Sequence, residues 1–212
     1  DGNSKDGTKE IIKAFEDKIS YTISEPDEGI YDAWNKGIRV AKGEWIMFIG
    51  ADDSLLPNAL NNYMSILNSM PDIDKYDYIC AHNELVDSND KILKVLGQNP
   101  IWYKMRRGMV AAHVASLHNK KNLFETIGKY NLNYHICADY ELLLRKKSNL
   151  KSLFLNFHIA KMMVGGMSMS TKAIKETFFI RKEHHTVPFF INLLLLCRDI
   201  LAFNIFKILH KY

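Results

Sequence analysis

The sequence predicts an α/β fold: a mixed sheet flanked by helices, with a helical tail at the C-terminus. Loops rich in turn-forming residues, helical stretches and short apolar strands alternate through the first half of the chain. Residues 45–49 form an uninterrupted run of large apolar side chains, which is typical of a strand buried on both faces. Residues 76–96 have the pattern of an antiparallel hairpin. The hairpin makes the predicted sheet mixed rather than parallel.

In the first half, periodicity predicts a helix beginning near Thr8, a strand over residues 19–24, a helix over 30–41 and the apolar strand over 45–49. This order follows βαβ logic and predicts parallel pairing of the two strands. In such an arrangement another strand comes first. We therefore expect a sheet that lacks its first strand or strands.

In the second half, a helix over residues 57–68 is followed by the hairpin strands 76–86 and 91–96. A strand over residues 110–118 and a helix over 120–127 come next. A helix that begins at Asp139, a strand over 153–164 and a helix over 171–183 complete the predicted elements.

Composition excludes some classes of function. The 212 residues suit one domain, and the net charge of +4 is mild. No basic stripe with interleaved aromatic residues is present, so nucleic acid is not an expected partner. Cys80, Cys137 and Cys197 are far apart and form no CxxC motif. This usage indicates a reducing compartment and a cytoplasmic location.

Asp52 and Asp53 directly follow the apolar strand and Gly50. Ligands of open α/β sheets bind at the carboxyl ends of the strands, so these carboxylates are candidates for a functional site. Adjacent carboxylates repel each other, and Mg²⁺ or Mn²⁺ relieves that repulsion while binding substrate phosphates. The alternative is a turn that caps the next helix. The residues alone leave both interpretations open.

Three other polar features are candidates. The loop over residues 1–8, rich in Asp, Asn and Ser, opens a helix and could bind a nucleotide or phosphate, or simply cap that helix. Asp32 and Asn35 share one helix face, which is either part of a site or a solvated surface. Asp139, in the first turn of its helix, is either a general base or an acidic residue favoured there by the helix dipole.

The C-terminal tail is strongly apolar. Its uncharged run, residues 188–197, is shorter than the roughly 20 residues that span a bilayer. Arg181, Lys182, Lys207 and Lys211 surround that run. The pattern predicts an interfacial helix on an anionic membrane surface. A helix packed on the domain or on a partner is the alternative.

Four stretches, taken together, resemble family 2 glycosyltransferases, which have the Rossmann-like GT-A fold. They are DGNSKDGT (1–8), SEPDEGIYDAWNKG (24–37), GEWIMFIGADD (43–53) and ADYELLLR (138–145), and their order and spacing match the family. The resemblance extends over residues 1–168, which we assign to the glycosyltransferase domain without its N-terminal strand and helix. Residues 169–212 form the tail outside it.

The resemblance implies a nucleotide-sugar donor, most often a UDP-sugar, and a divalent metal, Mn²⁺ or Mg²⁺. Asp53 would bind the metal, assisted by Asp52, and Asp139 matches the catalytic base of the family. The segment GGMS (165–168) resembles a late segment near the donor or acceptor. The donor-binding candidates are Asp1, Ser4, Asp32, Asn35, Asp52, Gly166 and Ser168.

These roles predict an inverting glycosyltransferase that acts on a glycan or lipid-linked acceptor, in the synthesis of a bacterial surface polysaccharide. The predicted location is the cytoplasm, as a peripheral protein at the inner face of the plasma membrane. A second hypothesis is a truncated, non-catalytic remnant or a half-enzyme that needs a partner. A nucleotidyltransferase on a similar fold is a third, but the chain contains no Gly-rich basic loop for a triphosphate.

Overall fold

The computed structural model describes residues 1–210 of the chain. In that part of the chain, helices pack on both faces of a six-stranded mixed sheet. The strands are β1 (Trp45–Met47), β2 (Ser54–Leu55), β3 (Tyr78–Val86), β4 (Ile92–Leu96), β5 (Ser116–Asn119) and β6 (Ser152–Met163). The helices are α1 (Thr8–Ala14), α2 (Ile30–Val40), α3 (Ala59–Ser69), α4 (Trp102–Met105), α5 (Ala138–Leu144), α6 (Thr171–Glu183) and α7 (Phe189–His210).

Strand β3 organises the sheet. The strand order is β1-β5-β3-β6-β2, and β4 also pairs with β3. The β3–β6 pair is parallel, from Tyr78 opposite Ser152 to Val86 opposite Met163, whereas the other pairs are antiparallel. The sheet is therefore mixed, and the predicted β3–β4 hairpin is confirmed.

The two faces of β3 belong to two separate cores, because successive side chains of a strand point to opposite faces. Tyr78 and Cys80 contribute to one core, with α2 and α5. Ile79 and Ala81 contribute to the other, with α3 and β6. All four side chains are fully buried. β3 thus has the continuous apolar pattern that a strand covered on both faces requires.

The prediction of a strand over residues 19–24 is wrong, because the structure has no strand there. A strand needs a hydrogen-bonded neighbour, and among the described residues this segment pairs only with Asp1. The Asp1 amino group donates to the Ile23 carbonyl (3.0 Å), and the Glu25 N–H donates to the Asp1 carbonyl (3.2 Å). The predicted parallel pairing with the apolar strand is therefore absent from the described residues.

The apolar run also differs from its prediction. β1 ends at Met47, its side chains are half-buried, and Ile49 is exposed. The reason is that β1 lies at one end of the sheet order and pairs antiparallel with β5. An outer strand has no neighbour on one side, so its burial is incomplete. The strand that is buried on both faces in this sheet is β3, not β1.

The segment after β4 is less regular than predicted. The strand predicted over residues 110–118 forms only in its last part, because a 3₁₀ helix (His113–Ala115) occupies the middle of that range and β5 begins only at Ser116. The helix predicted over residues 120–127 is a π-helix, Lys120–Glu125, whose first turn is capped by the Asn119 side chain.

Helix α6 has its predicted bounds and packs on the body of the protein, where Ala173 and Ile180 are buried. It holds α7 through Arg181, which is fully buried. The Arg181 guanidinium donates to the Asn192 side chain (2.7 Å) and to Asp199 (3.1 Å). Most of the remaining surface of α7 is apolar and exposed.

Candidate active site

A cleft of about 320 Å³ collects most of the predicted functional residues. Its walls come from the start of α2, the loop after β1, the 3₁₀ helix, the segment before α5 and the end of β6 with its following loop. The polar residues in these walls are Asp52, Asp53, His113, His135, Asp139 and Ser168, and Gly166 also contributes.

Asp52 and Asp53 converge on Gly50. A Cβ added at Gly50 would lie 2.7 Å from Asp53 Oδ2 and 3.0 Å from Asp52 Oδ1, so only glycine leaves room for both carboxylates. The Gly50 N–H donates to Asp53 Oδ2 (3.0 Å). Burial raises the pKa of Asp53, the Gly50 N–H and His113 oppose the rise, and the Asp52 charge adds to it. The pair therefore concentrates negative charge that a cation would relieve.

Asp139 is the second residue of α5 and is half-buried in the same cleft. The single hydroxyl proton of Tyr31, on α2, is shared between the Ile136 carbonyl (2.6 Å) and Asp139 Oδ1 (3.0 Å). Burial, followed by the charge of Asp139, raises the pKa of Tyr31. Tyr31 therefore stays protonated and acts as a hydrogen-bond donor to the carboxylate.

Aromatic packing on α2 joins the two acidic parts of the cleft. Trp34 stacks on Phe48, which directly follows β1, with ring centroids 4.5 Å apart. It also meets the Tyr31 ring edge to face at 5.3 Å and the His113 ring at 5.4 Å. Helix α2 thus contacts Phe48, beside the strand that leads to Asp53, and also supplies Tyr31, which binds Asp139.

Four predicted donor-binding residues do not line this cleft. The Asp1 carboxylate accepts hydrogen bonds from the Ser4 hydroxyl (2.6 Å) and the Ser24 hydroxyl (2.5 Å). Asp32 pairs with Lys36 (3.2 Å) on the surface of α2. Asn35 is buried, and its amide exchanges two hydrogen bonds with the backbone of Tyr130, at 2.9 and 3.0 Å. The remaining member of this group is Ser4, the partner of Asp1.

Sequence reasoning missed Tyr31, Trp34 and His113 as cleft residues. Tyr31 and Trp34 lie within one of the recognised stretches but carry no local sign that they face a site. His113 is a single histidine in an apolar segment. Within residues 1–210, no three His, Cys, Asp or Glu side chains are grouped so that they could hold a metal ion by themselves. Any metal here would depend on Asp52, Asp53 and ligands from a substrate.

Comparison with known proteins identifies the family. The family model described as "Glycosyl transferase family 2" matches residues 1–151. The chain belongs to glycosyl transferase family 2. The match includes every cleft residue up to Asp139, but not Gly166, Ser168 or the two C-terminal helices.

Several relatives carry related names. The chain is 28% identical over 152 residues to a Mycobacterium bovis protein named PGL/p-HBAD biosynthesis glycosyltransferase. This match covers 70% of this chain and 57% of the relative. It is 29% identical over 152 residues to an uncharacterized glycosyltransferase of Rickettsia felis, over 67% of this chain and 24% of the relative. The chain thus spans just over half the length of the mycobacterial relative and about a quarter of the rickettsial one.

Solved structures support the fold. S. aureus TarS (residues 1–349) in complex with UDP superposes with a TM-score of 0.61 at 12% identity, over 94% of this chain and 60% of that 1–349 chain. The mannosyltransferase PcManGT from Pyrobaculum calidifontis, in complex with GDP-Man and Mn²⁺, gives a TM-score of 0.55 at 13% identity, over 95% of this chain and 64% of that protein. These similarities confirm the predicted GT-A-type fold, and the family assignment identifies a transferase.

Proposed function

We propose that the chain forms the catalytic domain of an inverting glycosyltransferase, which transfers a sugar from a nucleotide-sugar, a UDP-sugar, to an acceptor hydroxyl. The observation that carries this proposal is the cleft in which Asp139 and the pair Asp52/Asp53 meet although they come from distant parts of the sequence. TarS, which superposes on this chain, is known in complexes with UDP and UDP-GlcNAc.

Asp139 is the proposed general base. Its carboxylate accepts the proton of the acceptor hydroxyl while that oxygen attacks C1 of the donor sugar. Base catalysis of this kind contributes typically ~10²–10⁴-fold in rate. Attack in line with the departing nucleotide diphosphate inverts the anomeric carbon. The Tyr31 hydrogen bond holds the carboxylate in place for this step.

Asp52 and Asp53 are the proposed ligands of a divalent metal, Mn²⁺ or Mg²⁺. The residues fit such an ion, because Gly50 leaves space for two convergent carboxylates. Mg²⁺ is commonly held by one or two carboxylates together with substrate phosphates, so a larger protein cage is unnecessary. When bound, the metal neutralises negative charge on the leaving diphosphate. The Mn²⁺ complex of PcManGT supports this assignment.

For α7 we propose contact with an anionic membrane surface, at the inner face of the plasma membrane. The span Phe189–Leu209 is long and apolar enough to cross a bilayer, with a mean hydropathy of 1.8. However, Arg198 and Asp199 lie near its middle, where charge is costly inside a bilayer. An interfacial position avoids that cost. The three free cysteines agree with a cytoplasmic location.

The side chains of α7 fit an interfacial position. Phe190, Leu194 and Leu201 are at least 61% exposed on one face. Asp199 is paired with Arg181 and Arg198, so the acidic charge of this region is already neutralised. A membrane contact would place the enzyme beside a lipid-linked acceptor of surface polysaccharide synthesis, which is the acceptor class that we propose.

Vesicle sedimentation tests the membrane contact. The full-length protein should sediment with vesicles that contain phosphatidylglycerol and remain in solution with phosphatidylcholine alone. The double variant Leu194→Glu/Leu201→Glu should lose that binding, whereas Leu60→Glu, an exposed leucine on α3, should keep it. Equal binding by both variants, or none by the wild type, would refute the contact.

Transfer assays on the full-length protein test the catalytic proposal. Asp139→Asn should bind UDP with wild-type affinity in calorimetry but lose at least ~100-fold in transfer, because only the base is removed. Asp90→Asn, which changes an exposed carboxylate, should behave as wild type. Proton NMR of the product should show inversion. A product that retains the donor configuration, or an active Asp139→Asn, would overturn the mechanism. A wild type without Mn²⁺-dependent UDP binding would favour the non-catalytic or partner-dependent hypothesis.

A further inference from the structure

Helix α6 binds the segment that leads into α5. Glu176 Oε1 accepts a hydrogen bond from the His135 N–H (3.0 Å). Its Oε2 accepts from the N–H groups of Ile136 and Cys137, both at 2.9 Å. One carboxylate therefore satisfies three successive backbone donors of another element. Hydrogen bonds to a charged acceptor are stronger than neutral ones, so the contact fixes this segment firmly.

The segment held by Glu176 positions Asp139. Cys137 directly precedes α5, and Asp139 is the second residue of that helix. On the other side, the Tyr31 hydroxyl shares its proton between the Ile136 carbonyl and Asp139. The segment is thus held between α2 and α6. The Ile136 N–H is hydrogen-bonded to Glu176 on α6, and the Ile136 carbonyl is hydrogen-bonded to Tyr31 on α2.

We propose that Glu176 is a positioning residue of the transfer reaction: through the backbone of residues 135–137 it holds Asp139 where it meets the acceptor hydroxyl. The inference rests on the proposed role of Asp139 and goes beyond it, because Glu176 does not line the cleft and lies on a helix outside the family match of residues 1–151. Within residues 1–210, the side-chain hydrogen bonds of Glu176 are all to this segment.

A second glutamate on α6 provides a matched control. Glu183 accepts a hydrogen bond from the hydroxyl of Tyr134, the residue just before the held segment. It therefore joins α6 to the same region but binds a side chain rather than the backbone that carries Asp139. A merely structural role of α6 would make Glu176→Gln and Glu183→Gln similar, whereas a positioning role makes them differ.

The test compares Glu176→Gln with Glu183→Gln in the full-length protein, by kcat, donor KM, melting temperature and hydrogen exchange. Glu176→Gln keeps one acceptor oxygen but turns an NH₂ group toward backbone donors. Because a ~1 Å misplacement of a catalytic group can cost ~10²-fold, we expect kcat to fall about 10- to 100-fold. The donor KM should change less than about twofold, and amide exchange should accelerate at residues 135–137. Glu183→Gln should keep kcat within about threefold.

The possible outcomes of this test distinguish the positioning role of Glu176 from the base role of Asp139. A wild-type kcat in Glu176→Gln, or an equal loss of kcat in both variants, would overturn the positioning role. If Glu176→Gln does not fold, Glu176→Asp keeps the charge but shortens the side chain, and the same loss of kcat without a change in donor KM is expected. Asp139→Asn in the same assay separates the two proposals. An active Asp139→Asn refutes the role of Asp139 as the general base. An inactive Asp139→Asn together with a normal Glu176→Gln refutes only the positioning role of Glu176.

Discussion

The substitution Gly50→Ala tests the arrangement of the two convergent carboxylates. The added methyl group would lie 2.7 Å from Asp53 Oδ2 and 3.0 Å from Asp52 Oδ1, whereas ordinary contacts begin near 3.4 Å. Both carboxylates must therefore withdraw by several tenths of an ångström. The hydrogen bond from the Gly50 N–H to Asp53, 3.0 Å in the wild type, would be strained or lost.

The substitution should lower both stability and activity. The contacts are with the ends of side chains that can rotate, so the cost to folding comes mainly from the strained hydrogen bond to a charged group, which contributes at most ~1.5–3 kcal/mol. Because a ~1 Å misplacement in an active site can cost ~10²-fold, the displacement of both carboxylates predicts a ~10- to 100-fold loss in kcat/KM for the donor.

Release of UDP from the donor, and Mn²⁺-dependent UDP binding in calorimetry, measure this effect. Gly37→Ala is the matched control, because Gly37 lies within α2 and an added Cβ there meets no atom within 4 Å. It should stabilise the protein by ~0.5–1 kcal/mol and leave activity unchanged. Wild-type kcat/KM in Gly50→Ala would refute the reasoning, since the carboxylates would then work equally well when displaced.

Two further substitutions test neighbouring parts of the site. Tyr31→Phe should lower kcat roughly 10-fold, with little change in donor KM, because Asp139 loses its hydrogen-bond donor; unchanged steady-state kinetics would contradict this. Burial alone would raise the pKa of Glu141, but hydrogen bonds from His184 and Arg145 lower it below its ordinary 4.5. The stability contributed by this charge is therefore present above pH 4.5 and lost as the pH falls through the lowered pKa. Glu141→Gln should lower the free energy of unfolding by about 2 kcal/mol in urea at pH 7, the contribution of a hydrogen bond to a charged group. The difference between variant and wild type should narrow below pH 4.5, and it would be independent of pH if the ion pairs were unimportant.

Elements with strong local patterns could be predicted from the sequence. The helix α6 has its predicted bounds, and β6 differs from its prediction by one residue at each end. The hairpin β3–β4 forms because both strands and their turn are encoded within about 20 residues. Asp52, Asp53, Asp139, Gly166 and Ser168, which follow the ends of predicted elements or begin one, do meet in a single cleft.

What the sequence could not predict depends on partners that are distant in the chain. β1 pairs with β5, about 70 residues later, so its position at the end of the sheet has no local signal. Asn35 is polar and shares a helix with Asp32, yet it is buried against the backbone of Tyr130, 95 residues away. Glu176 is one of several charged residues on α6, and only the fold brings it to the segment before Asp139.

The recognised stretch on α2 holds the cleft together through its aromatic residues rather than its acidic one. Trp34 packs on Phe48 beside the strand that leads to Asp53, and Tyr31 binds Asp139. The relative position of the carboxylate pair and the proposed base is therefore set by one helix. Since Asp32 points to Lys36 instead, its substitution should affect the surface of α2 more than the chemistry. A displacement of α2 would change both halves of the site at once, because each half contacts this helix.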